Sequence, residues 1–499
     1  MNLELQLLGA QLRAIAEEMG AVLVRSSFSA NIKERRDCST AIFDDRGRMV
    51  TQAEHIPVHL GAMPEAVAAA RELAPAPGEV VILNDPYAGG THLPDVTLVA
   101  RLDLGFAVAR AHWADVGSPE PGSMPARSRR LDDEGIVIPP TRLDDGLART
   151  LTARMRNPGE RLGDLRAQLA ALHLAHRRLG ELCAHHGRHR VRAAMDELLS
   201  YSERVVRGAI AALPDGTWSA RDVIEAPEGL LALEAAVTVH GDEVTIDFAG
   251  SAPQHDGNLN CPLAVTRSAC YFVVRCLTEP DLPACGGAFA PVRVVAPPGS
   301  LLNATSPAAV AAGNVETSSR VVDVVFAALG QALPVPAQGQ GTMNNVAFGN
   351  ERFSYYETIA GGQGACPDAD GPSGVHVAMS NTLSTPAEAL ELAYPIRVER
   401  HALRLGSGGR GEHRGGDGVV RELRVLEDCR CSLIADRQVR SPAGRAGGLP
   451  GAPGRIMLNG RQVPAKATLD LRANDLLRIE TPGGGGFGEP PTAPPTGSG

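Results

Sequence analysis

The chain has 499 residues, 43% of them apolar but only 4% aromatic, so it is long enough for several structural units whose cores rest on Ala, Val and Leu. A net charge of −9 without long Lys/Arg runs gives no reason to expect nucleic-acid binding. With no apolar run of about 18 residues and no basic-then-apolar start, no membrane span or secretion signal is expected, and the protein is read as cytoplasmic.

Apolar residues at Leu5, Leu8, Leu12, Ile15, Met19 and Val22 recur three and four apart and predict a helix over 3–24. Residues 37–52 read as a hairpin, with Ser39 to Phe43 as one strand and the turn Asp44 to Arg48 before Met49-Val50. A helix is expected over 60–74 and a short buried strand over 80–84. The stretches 96–104 and 106–112 then pair as a second hairpin, which would carry His112 back beside His92. Residues 160–212 read as mostly helical. Their basic cluster, His173 to Arg190, is taken as a helix face turned to solvent or to a subunit.

From Thr217 the period shortens to that of strands, with a Gly241-Asp242 turn between Val239 and Val244. Apolar helices are expected over 262–277 and 315–332, and short strands with many glycines over 401–480. Nine cysteines, an odd number at irregular spacing, argue against a disulfide framework. Cys429 and Cys431, one residue apart, are read as strand residues. The result is an α+β chain with mixed and antiparallel sheets. It divides into an α+β unit over 1–215, a central α/β unit over 216–395, a β-rich unit over 396–488 and a disordered tail over 489–499.

Chemistry concentrates in Asn84-Asp85-Pro86-Tyr87-Ala88-Gly89-Gly90-Thr91-His92-Leu93-Pro94-Asp95 and in His112-Trp113-Ala114-Asp115-Val116-Gly117. Histidines and carboxylates set among Gly and Pro turns are what a divalent metal site needs. Mixed nitrogen and carboxylate donors suit Mn, Zn or Fe better than Ca or Mg. The competing reading is a buried polar network that ties loops together.

These stretches, with Lys33-Glu34-Arg35-Arg36-Asp37, His55-Ile56-Pro57-Val58-His59, Asn157-Pro158-Gly159-Glu160-Arg161, Gly313-Asn314-Val315-Glu316-Thr317 and Pro482-Gly483-Gly484-Gly485-Gly486-Phe487-Gly488, resemble the hydantoinase B / oxoprolinase family over nearly the whole chain. The resemblance implies the B-type subunit of an ATP-dependent hydrolase that cleaves a hydantoin or lactam C–N bond through a phosphorylated carbonyl. ATP would be bound by a hydantoinase A / oxoprolinase-type partner in a hetero-oligomer. A subunit of an acetone- or acetophenone-type carboxylase, or a non-catalytic assembly subunit, stands as the alternative. The resemblance also implies Asp37, His92, Asp95 and His112 as metal ligands, and Asp115 and His59 as catalytic. Asp115 would serve as a base or orient His112, while His55 and His59 would line the substrate path.

No G-x-x-x-x-G-K-[ST] stretch occurs, and the Gly483–Gly486 cluster is read as turns, not as a phosphate cradle. Three places depart from the family pattern, which usually has His where Ala378 stands, Arg where Leu383 stands and an Asn-containing loop where Leu282-Pro283-Ala284-Cys285-Gly286-Gly287 stands. They put a specific substrate in doubt, not the metal site.

Overall fold

Why a hairpin forms at residues 95–112 is plain from the chain. One face of the strands Asp95–Arg101 and Phe106–His112 is apolar, carrying Val96, Leu98, Ala100, Ala107, Ala109 and Ala111, and the turn between the strands closes on Gly105. There φ is +81°, and a Cβ would lie 1.9 Å from the Phe43 carbonyl oxygen, so only glycine fits. The structure, a computed structural model, describes residues 3–278 and 282–491. Most of the expected disordered tail, 492–499, lies outside the described residues.

The hairpin sits inside an antiparallel six-stranded sheet. Its strand order is Met49–Glu54, Cys38–Phe43, Phe106–His112, Asp95–Arg101, Val80–Leu83 and Thr141–Arg142. One face is covered by the helices Leu3–Ser26 and Pro158–His186, which bury Leu8, Leu12, Met19, Leu23, Leu165, Leu172 and Leu179 against it. The expected helical run 160–212 is two helices. Gly187, at φ +87°, ends the first, and Arg188–Ala211 begins after it. His173, His176 and Arg177 are exposed.

A second sheet, Val292–Val295, Glu243–Asp247, Gly229–His240 and Gly216–Ala226, has one parallel pair at its edge. The third joins Ser354–Glu357, Asn345–Gly349, Cys429–Ile434 and Lys466–Leu471, and so runs across position 395. A fourth takes Ile396–Arg404, Gly418–Val425, Leu476–Glu480, Arg455–Leu458 and Arg461–Gln462. One apolar core runs across position 215, from Ala41 and Val108 to Val237, Val265 and Val325. Both Cys429 and Cys431 are buried and free. The fold is therefore α+β with several antiparallel and mixed sheets. Among the described residues no helix is long and apolar enough to cross a membrane.

Two buried features lock the C-terminal part to the rest. In the first, the helix Ser318–Leu329 presents Arg320, fully buried, to Asp323 (2.8 Å) and Asp436 (2.7 Å). Arg437 joins through Asp323 (2.7 Å) and Asp222 (3.3 Å). In the second, the Gly483–Gly486 run is not a set of turns. It threads between 361–365, 407–416 and 443–451 and bonds to them through backbone alone. Gly484 N–H donates to Gly416, Gly485 N–H to Gln338 and Gly486 N–H to Leu449, while Gly484 C=O accepts from Gly409. A Cβ on Gly483, Gly484 or Gly485 would lie 2.0–2.1 Å from a neighbouring carbonyl oxygen. Side chains are excluded here for the reason they are excluded from the axis of a collagen triple helix.

Candidate metal centre

Four local devices converge on one buried point. Asp95 opens its strand and is paired in register with His112, which closes the adjoining one. Cys38 lies opposite Ala111, so Asp37 falls beside His112, and its carbonyl accepts from the His112 N–H at 3.0 Å. His92 precedes Asp95 by three residues in a turn stiffened by Pro94, where the Asp95 N–H donates to the His92 carbonyl. His59 lies in the short turn Pro57–His59, with Nδ1 2.9 Å from Ser39 Oγ.

The donor atoms face one another. His92 Nε2 is 3.3 Å and His59 Nε2 3.5 Å from Asp95 Oδ2, and Thr91 Oγ1 donates to the same oxygen. His112 Nδ1 is 3.6 Å from Asp95 Oδ1 and 3.8 Å from Asp37 Oδ2. Two sets of three donors, His92/Asp95/His112 and Asp37/His59/Asp95, have their ligand atoms within 4.8 Å of one another. They open onto a narrow cleft of about 20 Å³ lined also by Asn314, Met343, Tyr356, Thr358, Ser380 and Thr382.

Burial drives the His59 and His112 imidazoles below their ordinary range, with His92 adding to the effect at His112. Burial also works to raise the Asp95 carboxyl, but the attraction of His92 and His59 prevails and holds it well below the usual carboxylate range. Asp37 is pushed up to about 7 by burial and by Asp95. Burial thus favours the neutral imidazole at His59 and at His112, and the ionised carboxylate at Asp95 is favoured by its histidine neighbours. Both ring nitrogens of His92, and Nε2 of His59 and of His112, are buried without a hydrogen-bond partner. Buried polar atoms are otherwise nearly always paired. Lone pairs of neutral imidazoles beside carboxylates are what Mn, Zn or Fe take up, so these residues fit a divalent ion.

Asp115 stands apart from this cluster. Its Oδ1 accepts from the Gly117 and Arg156 N–H groups, each at 2.9 Å, and its Oδ2 from the Arg156 guanidinium at 2.8 Å. It does not line the cleft and makes no contact with His112. His55 does not line the cleft either; its Nδ1 is 3.5 Å from Cys38 Sγ.

Tyr356 joins the site without any local mark in the chain. Its ring stacks on His112 at 4.6 Å and 6°, with the Arg35 guanidinium 5.4 Å from the ring centre. Its hydroxyl donates to Asn345 Oδ1 at 2.7 Å, and Asn345 Nδ2 donates to Glu316 Oε1 at 2.8 Å. Arg35, fully buried, also binds Thr358 (2.6 Å) and Thr382 (3.0 Å) on the cleft wall.

Burial pushes Glu316 from 4.5 up to about 8, so the folded chain keeps a proton that the unfolded chain releases between those values. Its contribution to stability is full at acid pH, falls as pH rises through this window and is lost above about 8. Glu316→Gln is expected to flatten that fall. Melting temperatures of both proteins across the window test this, and parallel pH profiles would contradict it.

The whole described chain has known counterparts. The family model for hydantoinase B/oxoprolinase matches residues 1–490. The chain belongs to the hydantoinase B/oxoprolinase family. It is 38% identical to an uncharacterized protein of Methanocaldococcus jannaschii, over 95% of this chain and 88% of that protein. It is 37% identical to the 5-oxoprolinase of Dictyostelium discoideum, over 95% of this chain but only 39% of that protein, so it spans about two fifths of that relative's length. A putative B-type subunit of a D-/L-hydantoinase from a Pseudomonas strain is 30% identical over 97% of this chain and 89% of the other. Among solved structures, the ATP-dependent caprolactamase from Pseudomonas jessenii superposes with a TM-score of 0.90 at 27% identity, covering 97% of this chain and 91% of that one. An acetone carboxylase in its nucleotide-free form gives 0.88 at 18% identity, covering 97% and 75%, a likeness of fold alone.

Proposed function

We propose that this member of the hydantoinase B/oxoprolinase family is the B-type subunit of an ATP-dependent hydrolase. It would open a hydantoin or lactam by cleaving the ring C–N bond. The observation that carries this reading is the buried cluster of His59, His92, His112, Asp37 and Asp95, which lines one cleft and keeps unpaired ring nitrogens. The relatives named as 5-oxoprolinase, D-/L-hydantoinase and ATP-dependent caprolactamase support a cyclic amide as the substrate class.

A ring amide is resonance-stabilised. Phosphorylation of its carbonyl oxygen by ATP creates a leaving group and an electrophilic carbon. ATP would sit on an A-type partner subunit, in keeping with the missing G-x-x-x-x-G-K-[ST] stretch and with a glycine run wholly occupied by its own backbone neighbours. Asp37, His92, Asp95 and His112 would hold a Mn, Zn or Fe ion, which when bound supplies Lewis-acid polarisation of a carbonyl oxygen. His59, held at Nδ1 by Ser39 and facing Asp95 through Nε2, would move a proton at Nε2. The surrounding apolar walls, Ile56, Val58, Val315 and Met343, exclude bulk water.

The test uses the chain co-expressed with an A-type subunit. Phosphate release from ATP is followed alongside ring opening over a panel of cyclic amides, and again with bicarbonate and a ketone. Release coupled to ring opening and lost in His92→Ala is the expected result. Release that requires bicarbonate and a ketone would instead assign a carboxylase subunit.

A further inference from the structure

The cleft contains one polar group that the proposed chemistry leaves idle. Asn314 lies in the π-helical turn Gly313–Thr317, which precedes the helix Ser318–Leu329. Such turns widen a helix by one residue and often mark functional positions. Here the turn is held from behind. A Cβ on Gly313 would lie 1.8 Å from the Asn260 carbonyl oxygen, Cys261 Sγ donates to the Gly313 carbonyl at 3.1 Å, and Thr317 Oγ1 donates to the Leu259 carbonyl at 2.6 Å. The widened turn places Asn314 on the wall of the cleft that holds His59, His92, Asp95 and His112.

Asn314 is 3% exposed, and its Oδ1 is fully buried without a partner. Leaving such an acceptor unpaired costs about 1–3 kcal/mol, so the position points to a ligand that pairs with it. The other neutral polar groups on this wall are engaged. Thr358 and Thr382 bind each other and Arg35, Ser380 binds His376, and Tyr356 binds Asn345. Asn314 is also the one carboxamide lining the cleft among the described residues.

We infer that Asn314 recognises the cis-amide edge of the substrate, with Oδ1 accepting from the ring N–H and Nδ2 donating to the ring C=O. The inference rests on the cyclic-amide reading above. An amide inside a small ring is forced cis, so its N–H and C=O point the same way. A primary carboxamide offers an acceptor and a donor with the same spacing, and the two close into a paired ring of hydrogen bonds. A linear amide is trans and turns the two groups to opposite sides. A ketone has no N–H at all. Asn314 is thus a specificity-determining residue that separates lactams and hydantoins from linear amides and from ketones.

The test measures binding to the full chain without ATP, by ligand-observed saturation-transfer NMR. The probes are hydantoin, γ-, δ- and ε-lactams, the N-methylated lactams and linear N-methylacetamide. The unsubstituted cyclic amides are expected to bind at least about tenfold tighter than their N-methyl forms, the value of one hydrogen bond. Asn314→Ala is expected to erase that preference, and the isosteric Asn314→Asp to weaken binding of the unsubstituted rings. Equal binding of methylated and unmethylated rings by the unaltered chain, a preference that survives in Asn314→Ala, or no binding of any cyclic amide would each overturn the inference. The first of these needs no variant to fold. Selective binding without ATP-dependent ring opening would keep the role of Asn314 and remove the hydrolase assignment. Ring opening with an unchanged preference in Asn314→Ala would do the reverse.

Discussion

Asp95→Asn is expected to weaken divalent-ion binding at the proposed site about a hundredfold while leaving the fold in place. Asp95 is the hub of the cluster, since His59, His92, His112 and Thr91 all turn to its two oxygens. Four-ligand protein sites bind Zn²⁺ with roughly 10–16 kcal/mol, so one donor in four is worth on the order of 3 kcal/mol, or about a hundredfold in affinity. An asparagine keeps the shape, loses the charge and cannot hold both oxygens toward imidazoles. Calorimetric titration of the metal-free chain with Zn²⁺ or Mn²⁺ measures the loss directly. Turnover with the partner subunit is expected to fall with it. Asp115→Asn provides the contrast. Asp115 spends both oxygens on Arg156 and Gly117, so its replacement is expected to leave metal affinity unchanged. An unaltered affinity in Asp95→Asn, or a hundredfold loss in Asp115→Asn, would contradict this arrangement.

The largest loss of stability is expected from Arg320→Ala. The guanidinium is fully buried between Asp323 and Asp436, with Asp222 3.5 Å away and Arg437 sharing two of these carboxylates. Removing Arg320 leaves the three carboxylates to Arg437 and Lys466 alone, and breaking a buried ion pair in this way costs about 3–5 kcal/mol. The penalty falls on the contact between the helix Ser318–Leu329 and the segment that follows the strand Cys429–Ile434. A fall in melting temperature well beyond that of an exposed pair such as Arg472→Ala is the expected outcome; equal melting temperatures would show that the cluster adds nothing net. Arg472 ion-pairs Asp428 at the surface, where such bridges contribute little.

Much of the N-terminal architecture was legible because its signals are local. The helix Leu3–Ser26 follows from spacing, although the buried stripe ends at Leu23 where Val22 was expected. Both hairpins follow from alternation and their turns, and the second hairpin alone places Asp95 opposite His112. Tyr356, Thr358 and Thr382 were not legible. They reach the same cleft from more than two hundred residues away, through the packing of one sheet on another. Nearness in sequence misled at Asp115, three residues past His112. The strand ends at His112, and the chain then turns, so the carboxylate meets Arg156 instead. The glycine run was opaque for another reason. Extended segments joined only through backbone groups leave no periodicity in their side chains.

That run is also made after every segment it joins. The segments 361–365, 407–416 and 443–451 leave the ribosome first and bond in part to one another, as Gly416 N–H does to Gln363 and Leu449 N–H to Arg410, while residues 482–487 supply the partners still missing. The C-terminal half is therefore completed from its end, as a seam is closed by its final stitch, and a chain stopped short of Pro482 would leave the N–H groups of Gly362, Ala365, Gly409 and His413 without their acceptors.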